Sequence, residues 1–235
     1  MLIALPNPTG DFTVTLFMRL DGVADSFVHM HDNATVERFF NQNFGGFADL
    51  VPDLAGQFFA NPVGHLATVR TSGWSLDDRA VLVGDSAHAI VPFHGQGMNL
   101  ALGSCRMLDK ALTETPDDPA GAFARFEADR KPDADAIADM ALENYIEMRS
   151  DVVDPNYQLR RALALELSRR YPDRITHRYG MVMFTTLSYA EARRRAAEQS
   201  KVFDLLMAGA TSLDDIDFDR AAGLVEALGP LPPWK

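Results

Sequence analysis

The stretch of residues 81–99, VLVGDSAHAIVPFHGQGMN, constrains the fold of this chain more than any other part of the sequence. It starts within an apolar run, AVLVG at residues 80–84, and turn residues follow, a pattern typical of a strand buried on both faces. Asp85 directly follows this run, and Gly95 and Gly97 precede an apolar segment with helical spacing. We therefore expect a strand, then a loop whose backbone a ligand can approach closely, then a helix that begins near Gly97.

These three elements together have the features of a ligand site. A carboxylate just past the end of a strand can accept hydrogen bonds from the hydroxyl groups of a sugar or polyol. The first turn of a helix presents free N–H groups and the positive end of the helix dipole, which stabilise negative charge. Asp85 and the helix N-terminus therefore predict a site for a flat ligand with hydroxyl groups and developing negative charge.

The rest of the sequence predicts an α+β fold. Residues 2–20 have the pattern of two strands joined by a turn at residues 7–11, and residues 65–71 the pattern of a further strand. Short helices are expected at residues 34–44 and 49–59. Longer helices are expected at residues 120–149, with a break or kink at Pro132, and at 156–171, 189–208 (ending at Gly209) and 214–228.

Composition excludes several classes of protein. The net charge of −11 opposes nucleic-acid binding, which needs a basic face, and Arg193–Arg195 is expected to be a solvated helix face. A single cysteine, Cys105, permits no intrachain disulfide and fits a cytoplasmic location. No apolar run approaches the ~20 residues that span a bilayer, and we expect no signal peptide. His29 and His31 have no evident third ligand, so no metal site is predicted.

The motif GDSAHAIVPFHGQGMN resembles the second FAD-binding motif of the FAD-dependent aromatic hydroxylases. This resemblance implies that Asp85 binds the ribityl chain of FAD and that the loop from Pro92 to Asn99 lies along the isoalloxazine ring. The cofactor-binding residues that it implies are Asp85, Pro92, Gly95, Gln96, Gly97, Met98 and Asn99. It also implies NADPH as the reductant and no catalytic side chain, because the cofactor carries the oxygen chemistry.

Three further segments resemble the members of this family that hydroxylate L-kynurenine. They are residues 1–17, 126–149 and 178–184, the last reading RYGMVMF. Independently of any resemblance, Ile137, Ala141, Asn144 and Met148 share one face of a helix, which leaves an amide on an apolar stripe. The resemblance implies that Asn144 and Tyr179 hold the amino-acid end of the substrate. Phe93, His94 and Met148 are expected to line the same pocket.

Two adjacent positions depart from the family pattern. Members commonly carry an acidic pair shortly after GQGMN, whereas this chain has Gly103 and Ser104. That change weakens the helix slightly and could alter a contact to the rest of the enzyme.

The resemblance covers a C-terminal half of the family's chain. The Gly-rich GxGxxG motif that follows an N-terminal strand and binds the FAD pyrophosphate does not occur. We expect a fragment, one piece of a split enzyme whose partner supplies the nucleotide-binding half, or an inactive remnant. The expected parts are residues 1–75 of a substrate domain, 76–115 of the FAD domain, and a helical region at 116–235.

The implied reaction is hydroxylation of L-kynurenine to 3-hydroxykynurenine with dioxygen. Two alternatives stay open. One is another flavin hydroxylase of the same family that acts on a different aromatic ring. The other is a fragment or assembly partner without catalysis of its own.

Overall fold

The computed structural model describes residues 1–150 and 154–231, except for the side chain of Ser150. Residues 151–153 and 232–235, which belong to the predicted helical region, lie outside the described residues. The chain forms two compact units, Met1–Leu66 and Ala67–Lys235. The predicted boundaries after residues 75 and 115 stay predictions.

The first unit combines a hairpin with two helices. Strands β1 (Leu2–Pro6) and β2 (Phe12–Leu16) pair antiparallel, as the sequence predicts. Helix α1 (Asn33–Ala48) starts where the Asp32 carboxylate accepts a hydrogen bond from the backbone N–H of Thr35, and it is followed by α2 (Leu54–Ala60). The core of this unit consists of Met30, Val36, Phe39, Phe40 and Ala55.

The second unit is mainly helical. A short ribbon of β3 (Ser75–Leu76) and β4 (Ala80–Val81) leads into α3 (Asp85–His88) and α4 (Gly97–Glu114). The long helix α5 (Pro119–Ser150) follows. The remaining helices are α6 (Pro155–Arg170), α7 (Arg178–Phe184), α8 (Tyr189–Met207) and α9 (Phe218–Glu226). The predicted mixture of helix and sheet is thus confirmed.

Helix α5 is the centre of the larger core. It packs against α4 and α8, and its residues Ile137, Met140 and Ala141 have no exposed surface. The sequence predicts a break or a kink at Pro132; the helix continues through this residue, so a break is wrong, and a kink stays a prediction. Proline costs a helix interior ~3 kcal/mol. Burial of apolar side chains on the next two turns offsets that cost, at ~1.5–3 kcal/mol for each large side chain.

A second core joins the last helices. Leu163 and Leu167 of α6 lie against Val202 and Phe203 of α8 and Val225 of α9. Helix α8 ends before Gly209, which adopts a φ of +83°, a conformation that favours glycine. The predicted helix stop at this residue is therefore confirmed.

Two predicted strands are shorter or missing. The run 80–84 forms a strand only at Ala80–Val81, and Leu82 is 37% exposed. Within the described residues β4 pairs only with β3, and Ala80 is exposed, so the predicted burial on both faces is wrong. Residues 65–71 form no strand, although the N–H of Val69 donates to the carbonyl of Ala89 at 2.8 Å. Apolar runs indicate burial, but a strand also needs a neighbouring strand to pair with.

The prediction of a solvated face at Arg193–Arg195 is wrong for Arg195. This side chain is 6% exposed, and its guanidinium donates to the carbonyls of Arg174 at 2.9 Å and Gly229 at 2.6 Å. An arginine carries five N–H donors, so one side chain can satisfy several backbone carbonyls in a turn. Arg195 therefore ties α8 to two loops.

The second core yields a paired stability prediction. Leu163→Ala removes a fully buried side chain and leaves a cavity, so we expect it to lower the free energy of unfolding by ~2–5 kcal/mol. Leu165→Ala, on the same helix but 62% exposed, should change it by less than ~0.5 kcal/mol. Urea denaturation followed by circular dichroism measures both. Equal losses would contradict the described packing of α6.

Candidate functional site

The loop between α3 and α4 is built from two sharp turns. Gly84, with a φ of +66°, turns the chain into α3, which starts at Asp85. A 3₁₀ turn at Pro92–His94 follows, and Gly95, with a φ of +64°, turns the chain again just before α4. Both glycines adopt the left-handed region that other residues disfavour. The predicted loop and the helix start near residue 97 are confirmed.

This loop presents a polar, open face. Of the residues that the sequence predicts to bind cofactor, Asp85, Pro92, Gly95, Met98 and Asn99 are exposed, and Gly97 is half-buried. A Cβ atom built on Gly95 would meet nothing within 4 Å. The first turn of α4 carries no acidic residue, so no carboxylate competes for its free N–H groups. The exposed backbone from Gly95 to the start of α4 can accept a flat, negatively polarised group.

Gln96 differs from its neighbours because it is only 2% exposed. Its Oε1 accepts hydrogen bonds from the hydroxyl of Tyr189 at 2.8 Å and from the amide of Asn99 at 3.1 Å. The side chain of Gln96 thus holds the start of α4 against α8.

The other side of the loop joins an aromatic cluster. The ring of Phe93 lies 4.7 Å from the ring of Tyr145 on α5, at an interplanar angle of 30°. The side-chain amide of Asn144 donates to the carbonyl of Phe93 at 2.6 Å and lies 3.4 Å from the sulfur of Met148. The structure therefore brings together Phe93, Asn144 and Met148, which the sequence assigned to one pocket. Tyr145 was missed, although it adjoins Asn144 in the sequence.

His94 and Tyr179 form the second half of this cluster. Their rings stack with centroids 5.9 Å apart, and Tyr179 is 43% exposed whereas His94 is 3% exposed. Burial, together with the positive charge of Arg178, lowers the pKa of His94 to about 4, so its ring is neutral near pH 7. Neither ring nitrogen of His94 has a hydrogen-bond partner among the residues that the structure describes. A buried, unsatisfied imidazole can donate to or accept from a ligand.

Ion pairs fix α7, and with it Tyr179, against α5. Arg178 donates to Glu143 at 2.6 Å and to Glu147 at 3.2 Å. The Nδ1 atom of His177 accepts a hydrogen bond from the backbone N–H of Tyr179 at 3.2 Å, which caps α7. Sequence analysis missed these groups. The spacing of Glu143 and Glu147, four residues apart on one helix, is the signal that could have indicated a shared basic partner.

Two other kinds of site are not found in the described part of the chain. It contains no group of three or more His, Cys, Asp or Glu side chains that could hold a metal ion. Across residues 1–150 and 154–231, no helix is both long enough and apolar enough to cross a bilayer.

Comparisons with known proteins agree with this geometry. A family model described as a FAD binding domain matches residues 56–141. The chain is 46% identical to kynurenine 3-monooxygenase of Stenotrophomonas maltophilia over 98% of its own length and 50% of that protein. It is 42% identical to the enzyme of Salinispora arenicola over 90% of its length and 46% of that protein. The chain is thus similar to kynurenine 3-monooxygenases over nearly its whole length. It spans about half the length of the curated relatives it matches.

The two comparisons cover different extents of the site. The FAD binding domain match includes Asp85 and the loop up to Asn99 but ends at residue 141, before Asn144. The similarity to full-length relatives continues over 98% of the chain and so includes α7 and Tyr179. The family model therefore covers the loop with Phe93 and His94, and the residues of the aromatic cluster beyond residue 141 are covered by the relatives alone.

The buried imidazole of His94 should make stability depend on pH. Its pKa is about 4 in the folded chain against 6.5 when unfolded, so the unfolded state binds more protons between these values and stability falls as the pH drops from 6.5 towards 4. His94→Phe keeps a stacked ring but cannot titrate. We expect its loss of unfolding free energy between pH 7 and pH 5 to be smaller than that of the unsubstituted chain by ~1–2 kcal/mol.

Urea denaturation at both pH values measures this difference. His31→Gln, at a histidine whose side chain is 71% exposed, serves as the control and should keep the pH dependence of the unsubstituted chain. If His94→Phe also kept the full pH dependence, the lowered pKa of a buried, neutral His94 would be contradicted.

Proposed function

We propose that this chain supplies the flavin-ring side and the substrate side of a FAD-dependent monooxygenase. This enzyme would use NADPH and dioxygen to hydroxylate L-kynurenine to 3-hydroxykynurenine. The observation that carries the proposal is the continuity of residues 92–97. Phe93 and His94 join the aromatic cluster, and the residues that follow expose an open backbone and the start of α4. A ring stacked on that backbone would have the aromatic cluster beside it.

On this proposal the exposed face holds FAD. The carboxylate of Asp85 accepts hydrogen bonds from the ribityl hydroxyls, and Pro92, Gly95, Gln96, Gly97, Met98 and Asn99 line the isoalloxazine ring. The N–H groups at the start of α4 stabilise negative charge on that ring. FAD supplies the oxygen chemistry when bound, with electrons from NADPH. The remaining contacts to the cofactor would come from residues outside this chain, since it spans about half of its relatives.

The aromatic cluster would hold the substrate. Asn144 and Tyr179 bind the amino-acid end of L-kynurenine, and Phe93, His94 and Met148 line the ring. Asn144 is suited to this because its amide is half-buried and already oriented by the Phe93 carbonyl. His94 is neutral near pH 7, so it can bond to an uncharged ring substituent without adding a charge to the pocket. The apolar walls exclude water from the ring that is hydroxylated.

A second candidate is hydroxylation of a different aromatic ring by the same flavin chemistry. The two contacts of the Asn144 amide nitrogen, to the Phe93 carbonyl and the Met148 sulfur, favour it, because they leave the amide oxygen but not the N–H groups for a substrate. The substrate titration described below separates the two candidates.

The proposed role of Asp85 predicts a loss of flavin affinity. Asp85→Asn removes a charged acceptor, and hydrogen bonds to charged groups contribute ~1.5–3 kcal/mol, so we expect the dissociation constant for FAD to rise about tenfold or more. Quenching of flavin fluorescence during titration measures it. Asp109→Asn, at an exposed position of α4, makes the same change of charge and should leave the affinity unaltered.

Riboflavin, titrated in parallel, carries the ribityl chain and the ring but no pyrophosphate. It should show the same dependence on Asp85. Equal affinities of the two variants for both flavins would remove Asp85 from the site. No flavin binding by the unsubstituted chain would count against a flavin-holding role for this half and favour the reading as an inactive fragment.

The substrate proposal predicts that two substitutions weaken L-kynurenine binding. Asn144→Ala and Tyr179→Phe each remove a hydrogen-bonding group, and we expect about tenfold weaker binding to the flavin-loaded chain from the loss of ~1–1.5 kcal/mol. Saturation-transfer NMR or a flavin difference spectrum measures it. Leu142→Ala, on the exposed side of α5, is the control. Unchanged affinity in both variants would reject L-kynurenine in favour of another aromatic substrate.

A further inference from the structure

Arg130 on α5 is a buried cation that contacts the first turns of α4. It is 7% exposed. Its Nη2 donates to the carbonyl of Leu100 at 2.9 Å, and its Nε donates to the hydroxyl of Ser104 at 3.0 Å. The same hydroxyl lies 3.2 Å from the Nε2 atom of His88 on α3. One guanidinium therefore links α5 to α4 directly and, through the Ser104 hydroxyl, to α3. The loop that the proposed function assigns to flavin lies between α3 and α4.

The same guanidinium also lies near the start of α8. Its carbon lies 6.0 Å from the centre of the Tyr189 ring, and the hydroxyl of Tyr189 donates to Gln96. Asp133 pairs with Arg130 at 3.3 Å and accepts the backbone N–H of Ala190 at 3.0 Å, which fixes the start of α8. Arg130 thus bonds to Leu100 at one end of the turn at residues 96–100, and at the other end it lies near Tyr189, which hydrogen-bonds to Gln96.

Gly103 provides the space that Arg130 occupies. A Cβ atom built on Gly103 would lie 2.8 Å from the Nη2 atom of Arg130, closer than real Cβ contacts allow. Any other residue at this position would displace the guanidinium, whose flexible end is the part that must move. The pair Gly103 and Ser104 therefore makes a pocket for an arginine, and Ser104 supplies its acceptor.

We propose that Arg130 is a positioning residue that sets the backbone of the loop at residues 92–99 for the flavin ring. It acts through Ser104, Leu100 and the Tyr189–Gln96 pair, and it does not itself touch the ligand. The proposal rests on the proposed function of the loop. A lysine cannot replace Arg130, because the guanidinium fork makes several directed bonds whereas an ammonium group is a point charge.

Two substitutions test this role without removing the helix. Arg130→Lys keeps the charge and loses the fork. Gly103→Ala displaces the fork and at the same time raises the helix propensity of this position. The controls are Arg125→Lys, at a half-exposed ion pair with Glu114, and Gly223→Ala, on a helix where a Cβ atom meets open space.

The first readout needs no ligand. We expect the backbone amide resonances of Gly95 and Gly97 to shift in Arg130→Lys and in Gly103→Ala and to stay in place in both controls. The spectra are recorded at a temperature where both variants keep the circular dichroism of the unsubstituted chain, so that the shifts report on the loop and not on unfolding. Unmoved resonances of Gly95 and Gly97 in both variants would overturn the proposal.

The second readout is the dissociation constant for FAD. It should rise about tenfold in both Arg130→Lys and Gly103→Ala, which corresponds to ~1.4 kcal/mol, and stay constant in the controls. Unchanged affinity in the two variants would overturn the positioning role for flavin. If the unsubstituted chain bound no FAD, the proposed function would fail, and the amide resonances would still decide whether Arg130 sets the loop.

Discussion

Burial of the Arg130 guanidinium determines how α4 and α5 pack in the larger unit. A buried cation costs several kcal/mol unless an anion and hydrogen-bond acceptors surround it. Here the acceptors are a carboxylate on the same helix, a serine hydroxyl on α4 and a backbone carbonyl in the first turn of α4. These partners come from fixed positions, so α4 and α5 can pack in only one register. Burial lowers the pKa of Arg130 from its ordinary value, and the negative charge of Asp133 opposes that shift.

The two faces of the loop follow from that register. With α4 held against α5, the ring of Phe93 contacts that of Tyr145 at a tilt and His94 stacks on Tyr179, while a Cβ atom at Gly95 would meet open space. A buried polar framework thus supports an exposed, irregular segment. Such a division is expected of a binding loop, because the loop gains its precision from the rigid elements beneath it.

Local sequence predicted the parts that depend on local physics. Glycine at residue 95, the start of α4 at Gly97 and the shared face of Ile137, Ala141 and Asn144 need only turn preferences and helical periodicity. The strands predicted at 65–71 and across 80–84 failed because pairing depends on a neighbour that a local pattern does not specify. The roles of Arg130 and Arg195 were missed for the same reason: each finds partners 20–34 residues away. Whether the predicted cofactor and substrate residues bind their ligands stays a prediction.

The short 3₁₀ turn at Pro92–His94 has a consequence for how such a chain can diverge. It joins the aromatic cluster to the open backbone through Gly95 with no intervening spacer, and the amide of Asn144 anchors it at the Phe93 carbonyl. A substitution that enlarges or reshapes the aromatic cluster must therefore also shift the backbone at residues 92–95. A change of the cluster to fit a different aromatic compound would require compensating substitutions along the exposed backbone at residues 95–99. We therefore expect the cluster and this exposed segment to vary together, not independently, in the course of evolution.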